Sequence, residues 1–417
     1  MEIRRDIYLN KLISHMHNGM IKVITGIRRC GKSYLLFNLF YNYLINSGIK
    51  EDHIIKIALD DRMNKNFRDP DEMLNYVYDS IKDKEMYYIL LDEVQFMNEF
   101  EDVLNSFLHI DNVDTYVTGS NAKFLSKDII TEFRGRGDQI HIQPLTFAEY
   151  YSVYNGSKDN AWNEYIKYGG LPKTIEFTSP KDKTDYLNNI FSETYIKDII
   201  SRYNVKNEPE LEELLDILAS SIGSLTNPKK LADTFKSIKN ISMHENTIKK
   251  YLDYFVDSFL ISKVKRYDVK GKKYINTPSK YYFTDLGLRN ARINYRQLEE
   301  THIMENIIYN ELIARGFSVD VGIVEINDKN KYGSYSLKQL EVDFVCNFGD
   351  KRYYIQSALE LPTREKTIQE EKSLLNINDS FKKIIIVKNT ISSWYNEEGI
   401  LIINLFDFLL NPDILNY

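Results

Sequence analysis

Through the first third of the chain, short apolar runs alternate with amphipathic stretches. Residues 21–25, 53–59, 87–91 and 115–118 are compact runs rich in Ile, Val, Leu, Tyr and Thr, each closed by glycine or by acidic residues. Such runs predict strands buried on both faces of a parallel sheet. Between them, residues 34–44 and 70–82 space their apolar side chains as helices do. The first helix is stopped at Ser47-Gly48. Residues 2–19 predict a short leading helix. This alternation describes an α/β domain with crossover helices.

From residue 144 the spacing turns helical. Residues 144–154 and 161–167 read as helices, punctuated by Gly169-Gly170-Leu171-Pro172, and residues 184–203 as one long amphipathic helix. Further helices are expected at 210–222, 228–235 and 245–256. Asn227-Pro228 starts the second of these, and Ser242-x-x-Glu245 is a capping box for the third. Strand-like runs at 260–267 and 280–284 flank a loop containing Gly271. The last part mixes both kinds again, with helices at 301–315 and 364–375 and strands at 341–346, 352–358, 383–388 and 400–404. The expected division is 1–150, 151–208, 209–296 and 297–417.

A chain of 417 residues, 43% hydrophobic and 27% charged, has the composition of an ordinary globular protein with two or three domains. No apolar run approaches membrane-spanning length and no N-terminal signal pattern stands out, so no membrane association and a cytoplasmic location are expected. Cys30 and Cys346 stand far apart, without disulfide or metal spacing. The net charge of −6 excludes a uniformly basic coat for nucleic acid, but not a local basic surface.

The candidate chemistry begins at the end of the first strand. Gly26-Ile27-Arg28-Arg29-Cys30-Gly31-Lys32-Ser33 fits G-x-x-x-x-G-K-[ST], followed by Tyr34 in a helix. A loop of this kind wraps phosphate in backbone N–H groups, and the helix N-terminus adds its partial positive charge. Lys32 is placed to reach the β- and γ-phosphates of ATP, and Ser33 to put its hydroxyl on Mg²⁺. A thiol at Cys30, inside this loop, would be at risk in an oxidising compartment, which also points to the cytoplasm.

Two acids close the third apolar run, at the strand end where α/β sheets place their chemistry. Asp92 is the expected Mg²⁺ ligand, and Glu93 the residue that orients the attacking water. After the fourth run, Gly119-Ser120-Asn121 offers Asn121 or Ser120 as a γ-phosphate sensor, or is simply a turn. Arg134 and Arg136, on either side of Gly135, are finger candidates acting in cis or from a neighbouring subunit, or form a solvated basic turn. Arg4 and Arg5 either lie near a bound base or, the preferred reading, are simply solvated. Arg28 and Arg29 read as structural or partner-facing.

In order along the chain, ITGIRRCGKSYLL, YYILLDEVQ, YVTGSNAKFLS, GRGDQIHIQPLTFAEYY and YGGLPKTIE resemble the bacterial and archaeal AAA-type ATPases that carry a C-terminal domain of unknown function. The resemblance runs nearly end to end. It implies an α/β P-loop core (AAA-type) over 1–150, a lid-like helical region over 151–208, a winged-helix section over 209–296, and Mg²⁺-dependent ATP hydrolysis coupled to conformational change. The alternative is a slow nucleotide-dependent switch that recruits a protein partner. A homo-oligomer is compatible with either.

Residues 227–280 hold thirteen Lys and Arg against five Asp and Glu. Lys249 and Lys250 lie on the third helix of the winged-helix pattern, and Lys270, Lys272 and Lys273 on its wing. They make duplex DNA a candidate partner, with a protein-binding module as the competing reading. Residues 297–417 resemble restriction-endonuclease-like domains. Asp343 and Glu305 match carboxylates of such sites, but Gln356-Ser357-Ala358 stands where Glu-x-Lys belongs. An inactive domain used for binding or assembly is therefore expected, with a metal-dependent nuclease as the weak third reading.

Overall fold

The computed structural model describes residues 2–119, 133, 135–239, 243–329 and 335–416. Its contacts divide into two compact units. One is Met1–Leu145 with Asp257–Phe259; the other is Thr146–Val256 with Leu260–Tyr417.

The first unit is built on a five-stranded parallel sheet of β1 (Ile21–Thr25), β2 (Ile54–Ala58), β3 (Tyr87–Asp92), β4 (Val113–Thr118) and β5 (Gly137–His141), in the order β2-β3-β4-β1-β5. Ile21, Val23, Ile55, Ile57, Ile89, Leu91 and Val117 line one face. They pack against Met73 and Val77 of the helix Pro70–Ser80 and against Val103, Leu104 and Phe107 of Phe100–Phe107. Full burial of each such side chain stabilises the fold by about 1.5–3 kcal/mol. Asp69 caps the first helix by accepting the N–H groups of Asp71 and Glu72. The core is the AAA-type parallel sheet that the apolar runs describe. β5 was not legible in them, because only Ile140 of Gly-Asp-Gln-Ile-His is fully buried.

One charge interrupts these runs without breaking the sheet. Lys22 on β1 is fully buried and ion-paired with Asp114 on β4. Asp114 also accepts the Tyr116 hydroxyl at 2.7 Å and the N–H of His17 at 3.0 Å. The pair sits near the N-terminal ends of its strands, away from the rim where β1, β3 and β4 finish.

The second unit holds the helical middle and an eight-stranded mixed sheet of order β12-β13-β11-β10-β9-β8-β6-β7. Its strands are β6 (Ile261–Asp268), β7 (Lys273–Phe283), β8 (Ser318–Lys329), β9 (Tyr335–Phe348), β10 (Lys351–Ala358), β11 (Lys382–Val387), β12 (Trp394–Tyr395) and β13 (Leu401–Asn404). The helices Glu208–Ser220, Pro228–Lys239 and Glu245–Asp257 precede the antiparallel hairpin β6–β7, the order of a winged-helix pattern. The hairpin is not a separate sheet. β6 also pairs in parallel with β8 through Arg266↔Val321, Tyr267↔Gly322 and Asp268↔Ile323, so one sheet runs across the expected boundary at 296/297.

The Gly169-Gly170-Leu171-Pro172 segment has a structural partner far along the chain. The buried Asp285 carboxylate accepts the N–H of Gly170 at 2.8 Å and caps the helix Leu286–Arg292 through Leu288 N–H at 2.9 Å. A Cβ at Gly169 would collide with that carboxylate, and the backbone there is left-handed (φ 72°). Asn290 ties the same helix to the carbonyls of Ile166 and Lys167 at 2.8 and 3.0 Å. Replacing Asp285 with Ala removes the acceptor of the backbone N–H groups of Gly170, Leu171, Gly287 and Leu288. The expected loss is about 2–4 kcal/mol of unfolding free energy in the second unit. Urea denaturation followed by tryptophan fluorescence checks this, since both tryptophans, Trp162 and Trp394, lie in that unit.

Candidate functional site

β1, β3 and β4 end side by side, and their tips bring the phosphate-loop residues and the acidic pair to one rim of the first unit. Gly26 passes so close to Ile142 that a Cβ would strike its carbonyl oxygen. The loop then closes through Cys30 N–H to the Ile27 carbonyl at 3.4 Å and enters the helix Lys32–Tyr34 from a left-handed Gly31 (φ 102°). That helix continues through wider turns at Leu35–Phe40 into Tyr41–Asn46.

Lys32 is buried, and its ammonium donates to the carbonyls of Gly26 and Ile27, both at 3.1 Å. Ile27 and Cys30 are buried, Arg28 and Tyr34 half-buried, and Arg29 and Ser33 exposed. Burial pushes the Cys30 thiol up, so it stays protonated and is no nucleophile in the loop.

Asp92 is buried at the end of β3 and accepts hydroxyl hydrogen bonds from Thr118 and Ser33. Burial pushes its carboxyl above the usual range, against the pull of those two donors. Oxygen donors of this hardness, a carboxylate beside a serine hydroxyl at the loop's mouth, fit Mg²⁺. Glu93 follows in a left-handed backbone conformation (φ 53°), its side chain held by the amide of Gln95.

Thr118 is the residue that reading the sequence missed. Its hydroxyl donates to Asp92 and accepts the Glu93 N–H at 3.0 Å, so one side chain on β4 fixes both acids of β3. The signal was a hydroxyl residue at the last position of the strand beside the Asp-Glu strand. His141 was missed as well. Its Nδ1 lies 3.1 Å from the Thr25 hydroxyl, and burial with the Lys32 charge nearby pushes its pKa down to about 4, so it is neutral at pH 7.

Other expected residues are distributed differently. Ser120, Asn121 and Arg134 lie outside the described residues. Arg136 is exposed immediately before β5, and its carbonyl accepts the N–H of Ile21, the first residue of β1. The loop leaves from the other end of that five-residue strand, roughly 13 Å away at about 3.3 Å per residue. Arg136 is therefore not gathered with Lys32 and Asp92 at their rim. Arg4 is exposed as expected, but Arg5 is not. It is buried against the loop, because its guanidinium satisfies two backbone carbonyls.

In the second unit the lysines of the basic stretch are partly spoken for. Lys249 pairs with Glu245 at 2.6 Å, Lys270 donates to the Glu325 carbonyl at 2.7 Å, and Lys273 lies 3.9 Å from Asp268. Lys250 and Lys272 are exposed. Lys280 is buried, with its ammonium 2.8 Å from Glu305 and 2.7 Å from Glu341. The buried Asp343 accepts the Ser357 N–H at 2.8 Å, and burial followed by the charge of Glu305 pushes its carboxyl well above the usual range. Gln356 turns to Glu370, its amide nitrogen 3.3 Å from that carboxylate. Among the described residues no helix is long and apolar enough to cross a membrane.

Residues 18–151 match the family described as "AAA domain", and residues 159–299 match "Domain of unknown function (DUF8612)". An uncharacterized protein of Haemophilus influenzae is 34% identical over 417 residues, covering 98% of each chain. The uncharacterized protein MJ1544 of Methanocaldococcus jannaschii is 29% identical, covering 95% of this chain and 86% of its own. Among solved structures, the Aeropyrum pernix ORC2 protein, in ADPNP–ADP complexes, aligns at 12% identity over 73% of this chain and 91% of its own, with a TM-score of 0.36.

The buried Asp92 has a consequence for stability. Its folded pKa is raised above the unfolded value, so its contribution is intact below about pH 4 and is lost as pH rises through the folded pKa. Asp92→Asn removes that loss. Calorimetry of nucleotide-free protein should show Asp92→Asn melting above wild type at pH 8, with the gap closing as the pH approaches 4.

Proposed function

We infer that this chain, which belongs to the bacterial and archaeal family of AAA-domain proteins carrying a C-terminal domain of unknown function, is an Mg²⁺-dependent ATPase whose nucleotide cycle drives conformational change. The observation that carries this reading is the Asp92 carboxylate held jointly by Ser33 and Thr118, beside the Lys32 loop. Gly26, Ile27, Arg28, Arg29, Cys30, Gly31, Lys32, Ser33 and Tyr34 form the nucleotide-binding segment. Lys32 exchanges its carbonyl partners for phosphate oxygens on binding.

Ser33 and Asp92 hold the metal, which supplies Lewis-acid neutralisation of phosphate charge. Glu93, its backbone fixed by Thr118, orients and deprotonates the water that attacks the γ-phosphate. Asn121 senses that phosphate. Arg134 and Arg136 are the finger candidates. The strand's length between Arg136 and the loop favours action on a neighbouring subunit, and with it a homo-oligomer.

The C-terminal half binds the partner. Lys249, Lys250, Lys270, Lys272 and Lys273 favour duplex DNA, and the internal pairing of three of them favours the second reading, a slow nucleotide switch that recruits a protein. The third reading, a metal-dependent nuclease, is the weakest. Gln356 and Ala358 supply neither carboxylate nor amine, and Glu305 and Glu341 are both already ion-paired with Lys280.

ATP turnover with Mg²⁺, measured with and without duplex DNA, tests these readings. Lys32→Ala should weaken ATP binding at least about tenfold, the cost of one lost charge-assisted contact. Glu93→Gln should keep ATP affinity while turnover drops about 100-fold or more. DNA stimulation that disappears in Lys32→Ala supports the coupled ATPase; ATP binding with negligible turnover supports the switch. Wild-type turnover in Glu93→Gln removes Glu93 from the mechanism.

A further inference from the structure

We propose that Arg5 is a positioning residue for the phosphate loop: its guanidinium fixes the direction of the Cys30–Gly31 peptide and so aims the Gly31 N–H at the bound phosphates. This rests on the ATP-binding reading and assigns to it a residue outside the loop motif. Arg5 lies just ahead of the helix Asp6–Ser14 and is 2% exposed. One of its terminal nitrogens donates to the Cys30 carbonyl at 2.9 Å, the other to the Gln143 carbonyl at 2.6 Å. The guanidinium lies over the ring of Tyr8, 4.7 Å from its centroid, and the Tyr8 hydroxyl accepts the Gln143 N–H at 3.1 Å.

The consequence follows from peptide geometry. In a trans peptide the carbonyl and the next N–H point in opposite directions. With the Cys30 oxygen held by Arg5, the Gly31 N–H faces away from Arg5. The rest of Cys30 is anchored too: its N–H bonds the Ile27 carbonyl and its thiol lies against the Ile142 carbonyl. A flip of this peptide would turn a carbonyl oxygen toward an anion, and glycine at position 31 makes that flip sterically cheap. Arg5 removes the flipped state by bonding the oxygen. It is also a permanent cation behind the loop, close enough to act on the Cys30 thiol together with Lys32. A lysine keeps the charge but cannot present two nitrogens in a planar fork to Cys30 and Gln143 at once.

The test compares wild type, Arg5→Lys, Arg5→Ala and Tyr8→Phe, with ATP Kd, kcat, KM and melting temperature measured on each folded protein. Arg5→Lys should raise ATP Kd and KM about tenfold with kcat at saturation within about threefold of wild type, the signature of lost pre-organisation. Arg5→Ala should raise them further. Tyr8→Phe loosens the same cluster without touching the guanidinium, and should lower the melting temperature with Kd within about twofold of wild type. An Arg5→Lys protein that binds ATP as wild type does overturns the proposal. So does a Tyr8→Phe protein with the same loss of affinity, because the effect would then belong to packing. Wild-type protein that binds no ATP overturns the ATP reading itself, a result distinct from unaltered binding in Arg5→Lys.

Discussion

Asp92 is the constraint around which the first unit is arranged. A carboxylate at the end of an apolar strand is out of water, and an unsatisfied buried charge is too costly to keep. The fold meets this with two hydroxyls from different elements: Thr118 from the neighbouring strand, and Ser33 from the first turn after the loop. Supplying them requires β3 and β4 to be adjacent and in register, and β1 to end where it does so that the loop returns Ser33 to the same point. The same hydroxyl that steadies Asp92 takes the Glu93 N–H, so the left-handed turn that carries Glu93 is fixed by the group that steadies Asp92.

The loop itself is held from behind. Gly26 leans on Ile142, Cys30 is buried, and Arg5 bonds both the loop and the segment after β5. The Gly26–Ile142 and Arg5 contacts join segments far apart in sequence, and Arg5 takes the place of water on the Cys30 carbonyl. The stiffness that phosphate recognition needs therefore comes from the N-terminal segment and from β5, as well as from the motif.

The second unit shows buried charge serving structure. Asp285 accepts N–H groups from two segments, and it sits at about pKa 6 because burial outweighs those donors. This explains the glycines of the Gly169-Gly170-Leu171-Pro172 segment as a clasp. Lys280 lies between Glu305 and Glu341, a buried cation held by two carboxylates. The lysine is on β7, in the hairpin that reads from sequence as a wing, and that hairpin belongs to the C-terminal sheet through β6 and β8.

The sequence by itself determined what is local. The apolar runs at 21–25, 53–59, 87–91 and 115–118 carried four of the five parallel strands, and the loop motif with Asp92 and Glu93 carried the candidate chemistry, since hydrophobic period and loop chemistry are properties of neighbouring residues. Tertiary structure decided everything that depends on who lies beside whom. β5 is too polar to read as a strand, yet its backbone completes the sheet edge. Thr118 looks like any strand threonine until β3 lies next to it. Arg5 reads as a solvated charge because nothing near it in sequence explains its burial; its partners are Cys30 and Gln143. Arg136 stands at the far end of β1 from the loop, because β5 runs parallel to β1 and Arg136 comes before its first residue.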